Sequence, residues 1–196
     1  MNAPQQPLIL GSSSPFRKQL LKNLNLQFTT CSPNIDETPL DNETPKDLVL
    51  RLAVEKAKAV AVQNPDALII SSDQVSVLDG NINGKPGNRK NAIKQLTQSS
   101  GKVVTFFTSL CLYDARNQDY QLDLVPFEVH FRSLDSQKIE RYVDFEQPFN
   151  CAGSFKSEGM GICLFEKLAG DDPNSLIGLP LIRLVSFLEQ KGIQIP

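Results

Sequence analysis

The sequence is poor in residues that build histidine-based catalytic sites. Its 196 residues include no tryptophan, two methionines and a single histidine, His130. A catalytic triad that uses histidine as its base therefore has little to draw on. His130 stands between Val129 and Phe131 in an alternating apolar pattern, which predicts a position on a strand rather than a catalytic role.

Paired cysteines are also missing. Cys31, Cys111, Cys151 and Cys163 are scattered along the chain, and no two of them form a CxxC pair. This spacing argues against a zinc site and against a disulfide-stapled secreted scaffold. It predicts free thiols in half-buried strands.

Long apolar runs and a strong net charge are absent as well. No segment approaches the roughly 18 to 20 apolar residues that a membrane span requires, and the first residues lack a basic leader, which predicts a cytoplasmic protein without a membrane partner. The formal net charge of −2 gives no general electrostatic case for nucleic acid as a partner. A phosphate-bearing ligand should therefore be small.

What the chain does have begins at its start, where an apolar run at residues 7–11 leads into serines and Pro15. This order predicts a buried strand followed by a capped helix, and such a helix start attracts anions. Arg17 follows in the first helical turns. Serine-capped turns of this kind also occur in α/β proteins without a ligand. The hydroxyls that we expect to bind phosphate belong to Ser12, Ser13 and Ser14.

Carboxylates follow two further predicted strands. Asp36 and Glu37 come after a short strand at 27–31, and Asp73 follows the apolar run at 67–70. Ligands of open α/β sheets bind beyond the carboxyl ends of the strands, so these acids should meet the phosphate site. Carboxylates beside phosphates require a divalent cation, Mg²⁺, Mn²⁺ or Co²⁺. A solvated loop acid remains the alternative for Glu37.

Two lysines could complete such a site. Lys56 shares the i, i+4 ladder of Leu48, Leu52 and Val60, so it lies on the face of its helix that should contact the core. It needs a partner or a cleft there, unless its ammonium reaches the surface. Lys85 lies in a constrained Gly-Lys-Pro turn and is either a phosphate ligand or an ordinary exposed lysine.

The periodicity predicts an α/β fold with a mixed sheet in two lobes. The second lobe is expected mainly from about residues 100–165. Helices are predicted at 45–63, 88–96, 135–145 and 181–190, and a pair of long antiparallel strands at 102–113 and 120–131.

Seven motifs in order resemble the Maf-like nucleoside triphosphate pyrophosphatases over nearly the whole chain. They are LILGSSSPFR at 8–17, IDE at 35–37, LAVEKA at 52–57, SDQV at 72–75, GKP at 84–86, AGSFKSEG at 152–159 and IGLPL at 177–181. The resemblance implies one Maf-like domain over residues 1–196, with a two-lobed, inosine-triphosphatase-like (Maf/Ham1-like) fold and a central cleft. It also implies hydrolysis of a nucleotide to its monophosphate and diphosphate, and it is compatible with a homodimer.

The resemblance further implies roles for individual residues. Asp73 matches the catalytic acid or base and, with Glu37, the metal ligands of the family. Lys56 and Lys85 match its phosphate-binding lysines. Arg17 matches the second arginine of the usual Ser-Pro-Arg-Arg sequence.

Phe16 replaces the first arginine of that sequence, which is a departure from the commoner motif. Together with Gln74 and Glu158 at the other positions that affect substrate choice, it resembles the subgroup assigned to 7-methyl-GTP. N7-methylguanine is cationic, so an aromatic face can stack on it with a cation–π component, and Glu158 could accept the hydrogens of the guanine edge. The contacts with the base are an inference from this chemistry.

Two alternatives stay open at this point. The substrate could be UTP, CTP or a modified pyrimidine nucleotide, because one aromatic and one glutamate do not uniquely specify a methylated purine. The protein could instead be a nucleotide-sensing regulator of cell division, a role associated with the family name. Asp73, Glu37 and the two lysines disfavour pure binding, because a sensor needs no metal-activated water.

Overall fold

The computed structural model describes residues 6–195 and arranges them around one mixed, eight-stranded sheet. The strand order is β2-β1-β3-β6-β4-β5, and β7 pairs with both β6 and β8. β1 is parallel to its two neighbours, and the other pairings are antiparallel. The predicted α/β class with a mixed sheet is confirmed. The strands are β1 (Leu8–Leu10), β2 (Thr29–Thr30), β3 (Leu68–Ser71), β4 (Gln74–Leu78), β5 (Asn81–Asn83), β6 (Val103–Asp114), β7 (Asp119–Phe131) and β8 (Phe165–Gly170).

The helices begin where their capping residues predict. Ser14 Oγ accepts a hydrogen bond from Arg17 N, and Thr44 Oγ1 accepts one from Asp47 N. A proline follows each of these caps at the first helical position, where its missing N–H costs nothing. Within residues 6–195, no helix has the length and apolar character that crossing a bilayer requires. The helices are α1 (Pro15–Lys22), α2 (Pro45–Ala61), α3 (Arg89–Ser99), α4 (Ser136–Glu146), α5 (Pro173–Ile177) and α6 (Leu181–Gln190).

Four short elements differ from the prediction, the first of them β5, a three-residue strand between two turns that was not predicted. β2 contains only Thr29 and Thr30, both exposed, so the predicted strand at 27–31 is too long. β8 and α5 were not predicted, because β8 is a largely exposed edge strand without clear alternation and α5 spans little more than one turn. Of the four cysteines, which are free, only Cys111 lies in a strand, so the strand prediction is wrong for the other three.

The two largest apolar clusters lie at the two ends of the sheet, and α2 packs on the sheet through two smaller ones. At one end, α3 and α4 pack against β6 and β7 around Phe106 and Phe127. At the other end, α1 and α6 pack against β1, β3 and the far part of β6 around Leu112 and Leu184. Strand β6 runs through both clusters, and a cleft opens between them. The cleft is the part of the fold that matters for function.

One buried carboxylate ties both chain ends to the β6–β7 hairpin. Asp114 is 2% exposed and accepts hydrogen bonds from Gln6 Nε2 at 2.9 Å, Asn117 Nδ2 at 2.8 Å and Lys191 Nζ at 3.0 Å. Burial favours the neutral acid, but these hydrogen bonds outweigh it and hold the pKa of Asp114 below its ordinary value of 3.8. The folded state therefore favours the charged form of Asp114.

We expect Asp114→Asn to lower the free energy of unfolding at pH 7 by about 1–3 kcal/mol, because it removes a charged acceptor of several hydrogen bonds. Because the pKa of Asp114 is lower in the folded than in the unfolded protein, its carboxylate stabilises the fold at pH values above the ordinary pKa of 3.8. This stabilisation is lost as the pH falls towards the pKa of Asp114 in the folded protein. Urea denaturation should therefore show the gap between variant and wild type narrowing below pH 3.8. Asp119→Asn removes an exposed carboxylate 3.9 Å from the same Lys191 and is the control. A gap that is independent of pH would contradict this account.

Candidate active site

A cleft of about 780 Å³ lies beyond the carboxyl ends of β1 and β3. The serine turn that leads into α1 forms one wall, and the loop that follows α4 forms the opposite wall. Of the acids expected at the site, Asp36 is not among the lining residues of the cleft, and its carboxylate accepts from Thr38 N and Oγ1 instead. The other site residues predicted from the sequence line this cleft, so the structure brings them together. They are Ser12, Ser13, Ser14, Phe16, Arg17, Glu37, Lys56, Asp73, Gln74, Lys85 and Glu158.

The centre of the cleft is an ion cluster of one lysine and two carboxylates. Lys56 Nζ lies 2.6 Å from Asp73 Oδ1 and 2.8 Å from Glu37 Oε1. Lys56 is 5% exposed and Asp73 is 8% exposed, whereas the Glu37 side chain is 57% exposed. The expected position of Lys56 on the buried face of α2 is confirmed. Its ammonium contacts the two carboxylates from that face.

Backbone and serine contacts fix Asp73 at the junction of β3 and β4. Asp73 N donates to Ser109 Oγ at 3.0 Å, and Ser109 N donates to Asp73 O at 2.9 Å. The Ser109 hydroxyl in turn donates to Val49 O on α2 at 2.6 Å. Ser109 is fully buried, so these hydrogen bonds are shielded from water. They join the helix that carries Lys56 to the strand end that carries Asp73.

The two carboxylates suit a divalent cation that the substrate helps to bind. Among residues 6–195, no group of three or more histidine, cysteine or acidic side chains is placed to hold a metal ion. Mg²⁺ is commonly held by one or two carboxylates, with water and substrate phosphates as its remaining ligands. Asp73 and Glu37 supply such a pair, because one oxygen of each already converges on a single cationic group.

The serine turn and α1 form the cationic wall. Ser12 Oγ accepts from Ser14 N at 3.2 Å, and Arg17 Nε donates to Gly178 O at 2.7 Å. Ser72 Oγ donates to the same carbonyl at 2.9 Å, and Gly178 adopts φ 121°, which glycine tolerates best. Burial lowers the pKa of Arg17, and the charges of Asp73 and Glu37 oppose that shift.

The three residues expected to select the base differ in how firmly they are held. Gln74 Nε2 lies within hydrogen-bonding distance of Thr108 Oγ1 at 2.9 Å and of Ser175 O at 2.8 Å, so its amide nitrogen is turned toward α5. Phe16 is half-buried, while Glu158 is exposed and, within residues 6–195, accepts a hydrogen bond from Ser157 Oγ alone, at 3.4 Å. A base could therefore meet a fixed amide, an aromatic ring and an adaptable carboxylate.

The sequence did not predict how the loop after α4 is anchored. Glu146 accepts from Lys156 Nζ at 3.0 Å and from Met160 N at 2.9 Å, and these two residues flank Glu158. Burial raises the pKa of Glu146, but these hydrogen bonds outweigh it and the net pKa is lowered. At Gly161, a Cβ atom would collide with the Lys156 carbonyl. The only sequence signal for this anchor is the spacing of the loop glycines. The lining residues that were not predicted include Gln147, Asn150, Cys151 and Lys156.

Lys85 and Cys151 complete the open side of the cleft. Lys85 is exposed and lines the cleft. This position is compatible with both alternatives given for it, a phosphate ligand and an ordinary exposed lysine. The Cys151 thiol lies nearby, and burial raises its pKa to about 11. The thiol is therefore protonated at neutral pH and is a poor nucleophile.

The fold and cleft define a class of α/β protein that solved structures also represent. The Ham1 protein of Staphylococcus aureus superposes with a TM-score of 0.53 at 12% identity, covering 95% of this chain and all of its own. A HAM1 protein from Coxiella burnetii gives a TM-score of 0.54 at 14% identity, with the same coverage. At such identities the likeness concerns the fold, and it confirms the expected inosine-triphosphatase-like architecture.

The chain belongs to the Maf-like protein family, whose family model matches residues 7–191. A relative from Colwellia psychrerythraea is 58% identical over 189 residues, which cover 96% of this chain and 94% of the relative. One from Vibrio parahaemolyticus is 56% identical over 188 residues, covering 96% and 97% of the two chains. Both relatives are named 7-methyl-GTP pyrophosphatase.

We expect Lys56→Met to destabilise the ligand-free protein by about 3 kcal/mol, because it leaves the buried Asp73 without its cationic partner. Mn²⁺ should then raise the melting temperature of the variant more than that of the wild type, since the metal no longer competes with an ammonium for the carboxylates. Lys85→Met removes an exposed cation from the same cleft and is the matched control. Equal Mn²⁺-induced shifts in wild type and Lys56→Met would refute the competition.

Proposed function

We propose that this protein hydrolyses 7-methyl-GTP to 7-methyl-GMP and diphosphate. The observation that carries the proposal is the cluster of Asp73, Lys56 and Glu37, which faces cationic and hydroxyl groups across one cleft. That arrangement suits a phosphoanhydride substrate with a bound cation. The choice of nucleotide is supported by the names of relatives at 55–58% identity over 96% of the chain.

In the proposed reaction, water attacks the α-phosphorus and the bond to the bridging oxygen of the β-phosphate breaks. Asp73 orients the water and accepts its proton, and diphosphate leaves. The fixed backbone of Asp73 restricts its carboxylate to one region of the cleft. Arg17, Lys85 and the serine turn neutralise the charge that develops on the phosphates and on the leaving group. No covalent intermediate with the protein is needed.

Asp73 and Glu37 would hold the divalent cation, Mg²⁺, Mn²⁺ or Co²⁺. When bound, the cation supplies charge neutralisation and polarises a phosphate oxygen. Lys56 would contribute alongside the metal, because an ammonium has three hydrogens and two acceptors contact it among the described residues. The third hydrogen can serve a phosphate oxygen, which is how Lys56 acts as a phosphate ligand in this proposal.

In this proposal, the base is held by Phe16, Gln74 and Glu158, which line the cleft together. Phe16 stacks on the methylated guanine, and the positive charge of that ring strengthens the contact. Glu158 accepts hydrogens from the guanine edge, and Gln74 borders the same space from the side of α5. A pyrimidine offers neither the cationic ring nor that donor edge.

We further propose that the protein works in the cytoplasm on this small-molecule substrate. The free cysteines among the described residues support a reducing compartment. Neither nucleic acid nor a membrane has a role in the proposed reaction.

A nucleotide panel tests the function directly. Purified protein should release diphosphate from 7-methyl-GTP with a higher kcat/KM than from GTP, UTP or CTP, and a chelator should abolish the reaction. A preference for UTP or CTP would replace the proposed substrate with a pyrimidine nucleotide. Binding without diphosphate release at any metal concentration would indicate a nucleotide sensor instead.

Asp73→Asn should lower kcat by at least about 100-fold, because the amide keeps the shape of the side chain but cannot accept the proton. Circular dichroism should show that the variant remains folded, since the backbone contacts with Ser109 do not involve the changed group. Asp119→Asn, at the distant β6–β7 turn, is the control and should turn over normally. Near-normal kcat in folded Asp73→Asn would rule out the assigned role.

Phe16→Ala should reduce kcat/KM for 7-methyl-GTP by about 5- to 30-fold more than for UTP, because only the former places a cationic ring on the aromatic face. Comparison with GTP isolates the effect of the methyl group and its charge. Phe16→Tyr retains an aromatic face and should keep the preference. Equal losses on all three nucleotides would mean that Phe16 only shapes the cleft.

A further inference from the structure

Glu37 is the exposed member of the ion cluster, and it lies in a segment without regular structure. Residues 31–44 connect β2 to α2 and contain no helix or strand. An exposed carboxylate in such a loop can adopt many positions unless neighbouring contacts restrict it. Its placement beside Lys56 therefore depends on what holds the loop.

Arg51 on α2 holds this loop from outside the cleft. Its guanidinium pairs with both carboxylate oxygens of Glu43, at 2.6 Å from Nε and 2.8 Å from Nη2. Nη2 also donates to Thr38 O at 3.2 Å, one residue beyond Glu37. The Glu43 carboxylate accepts from Leu40 N at 3.0 Å as well. The loop is thus fixed to α2 at two points that follow Glu37.

These contacts persist at neutral pH and stand apart from the cleft. The hydrogen bond from Arg51 is the main reason that the pKa of Glu43 is lowered to about 2, so Glu43 is charged. Ile35, two residues before Glu37, packs against the apolar cluster of Leu48 and Val75. Neither Arg51 nor Glu43 lines the cleft. Glu37 is therefore bracketed by an apolar anchor on one side and an ionic anchor on the other.

We propose that the Arg51–Glu43 pair positions Glu37 for metal binding and sets the metal affinity of the site. This inference rests on the proposed function, because that proposal is what makes Glu37 a metal ligand. Arg51 and Lys56 then have complementary tasks on one helix: Lys56 holds the Glu37 carboxylate, and Arg51 holds the backbone that carries it. Arg51 is a positioning residue and touches no reacting atom.

The competing account is that Arg51 only stabilises α2 and its preceding loop. The two accounts are separated by Mn²⁺ binding to nucleotide-free protein, measured by titration calorimetry. Arg51→Gln should weaken Mn²⁺ binding by about 10-fold, a size typical of residues that orient a metal ligand. Arg51→Lys can keep one contact with Glu43 but not the two-point contact of the guanidinium, so we expect an intermediate loss of Mn²⁺ affinity. Glu43→Gln tests the pair from the loop side and should weaken binding in the same direction.

Arg89→Gln is the matched control, because Arg89 makes a similar two-point pair with Asp144, at 2.6 Å and 2.9 Å, outside the cleft. It should leave Mn²⁺ affinity unchanged. In a Glu37→Gln background, Arg51→Gln should add no further loss, since the residue it positions is already disabled. Additive losses, or wild-type affinity in folded Arg51→Gln and Glu43→Gln, would overturn the proposal.

Turnover separates this inference from the proposed function. With 7-methyl-GTP, Arg51→Gln should raise the Mg²⁺ concentration needed for half-maximal rate by about 10-fold, while kcat at saturating Mg²⁺ stays within about 2-fold. Failure of the wild type to hydrolyse any nucleotide would refute the proposed function, whereas the Mn²⁺ titrations would still decide whether Arg51 positions Glu37. A fall in kcat that added Mg²⁺ does not restore would contradict the positioning role.

Discussion

The site depends on one buried ammonium placed between two carboxylates. Without Lys56, the buried Asp73 would have no cationic partner and would repel the neighbouring carboxylate of Glu37. Lys56 reaches this point because the apolar stripe of α2 packs on the sheet and the lysine interrupts that stripe. The packing of α2 thus places a charge that hydrophobic burial alone would exclude. The charge balance of the site therefore depends on how α2 packs against the sheet.

The same contact explains why a lysine can serve both the free and the ligand-bound site. In the free site, it compensates two carboxylates and so limits the cost of burying Asp73. A divalent cation that binds those carboxylates reduces their demand for the ammonium, which then has more hydrogens available for phosphate. Under the proposed function, the ammonium of Lys56 would both stabilise the free protein and contact phosphate in the bound state. The expected phosphate-binding role and the observed carboxylate contacts are thus compatible.

The sequence predicted elements whose signals are local. Helix α2 follows from its cap, its proline and its apolar stripe, and Lys56 was recognised because it breaks that stripe. The long hairpin of β6 and β7 follows from alternation. The anchors supplied by Ser109, Gly178 and Glu146 could not be predicted, because each joins segments that are distant along the chain and consists of common polar residues. Family resemblance singled out the candidate site residues, but only the fold relates Lys56 to both acids.

The cleft combines a fixed floor with an adaptable rim. Asp73 is buried and Arg17 is half-buried, and hydrogen bonds hold both, so substitutions there disturb packing and charge balance together. Glu158 and Lys85 are exposed, and changing them leaves the core untouched. Under the proposed function, a change of base selectivity at Glu158 would cost little stability, whereas the phosphate contacts use both the buried floor and the exposed Lys85. Under the proposed function, such a scaffold could take different nucleotides through a few side chains around the base, provided that the loop of Glu37 keeps its place.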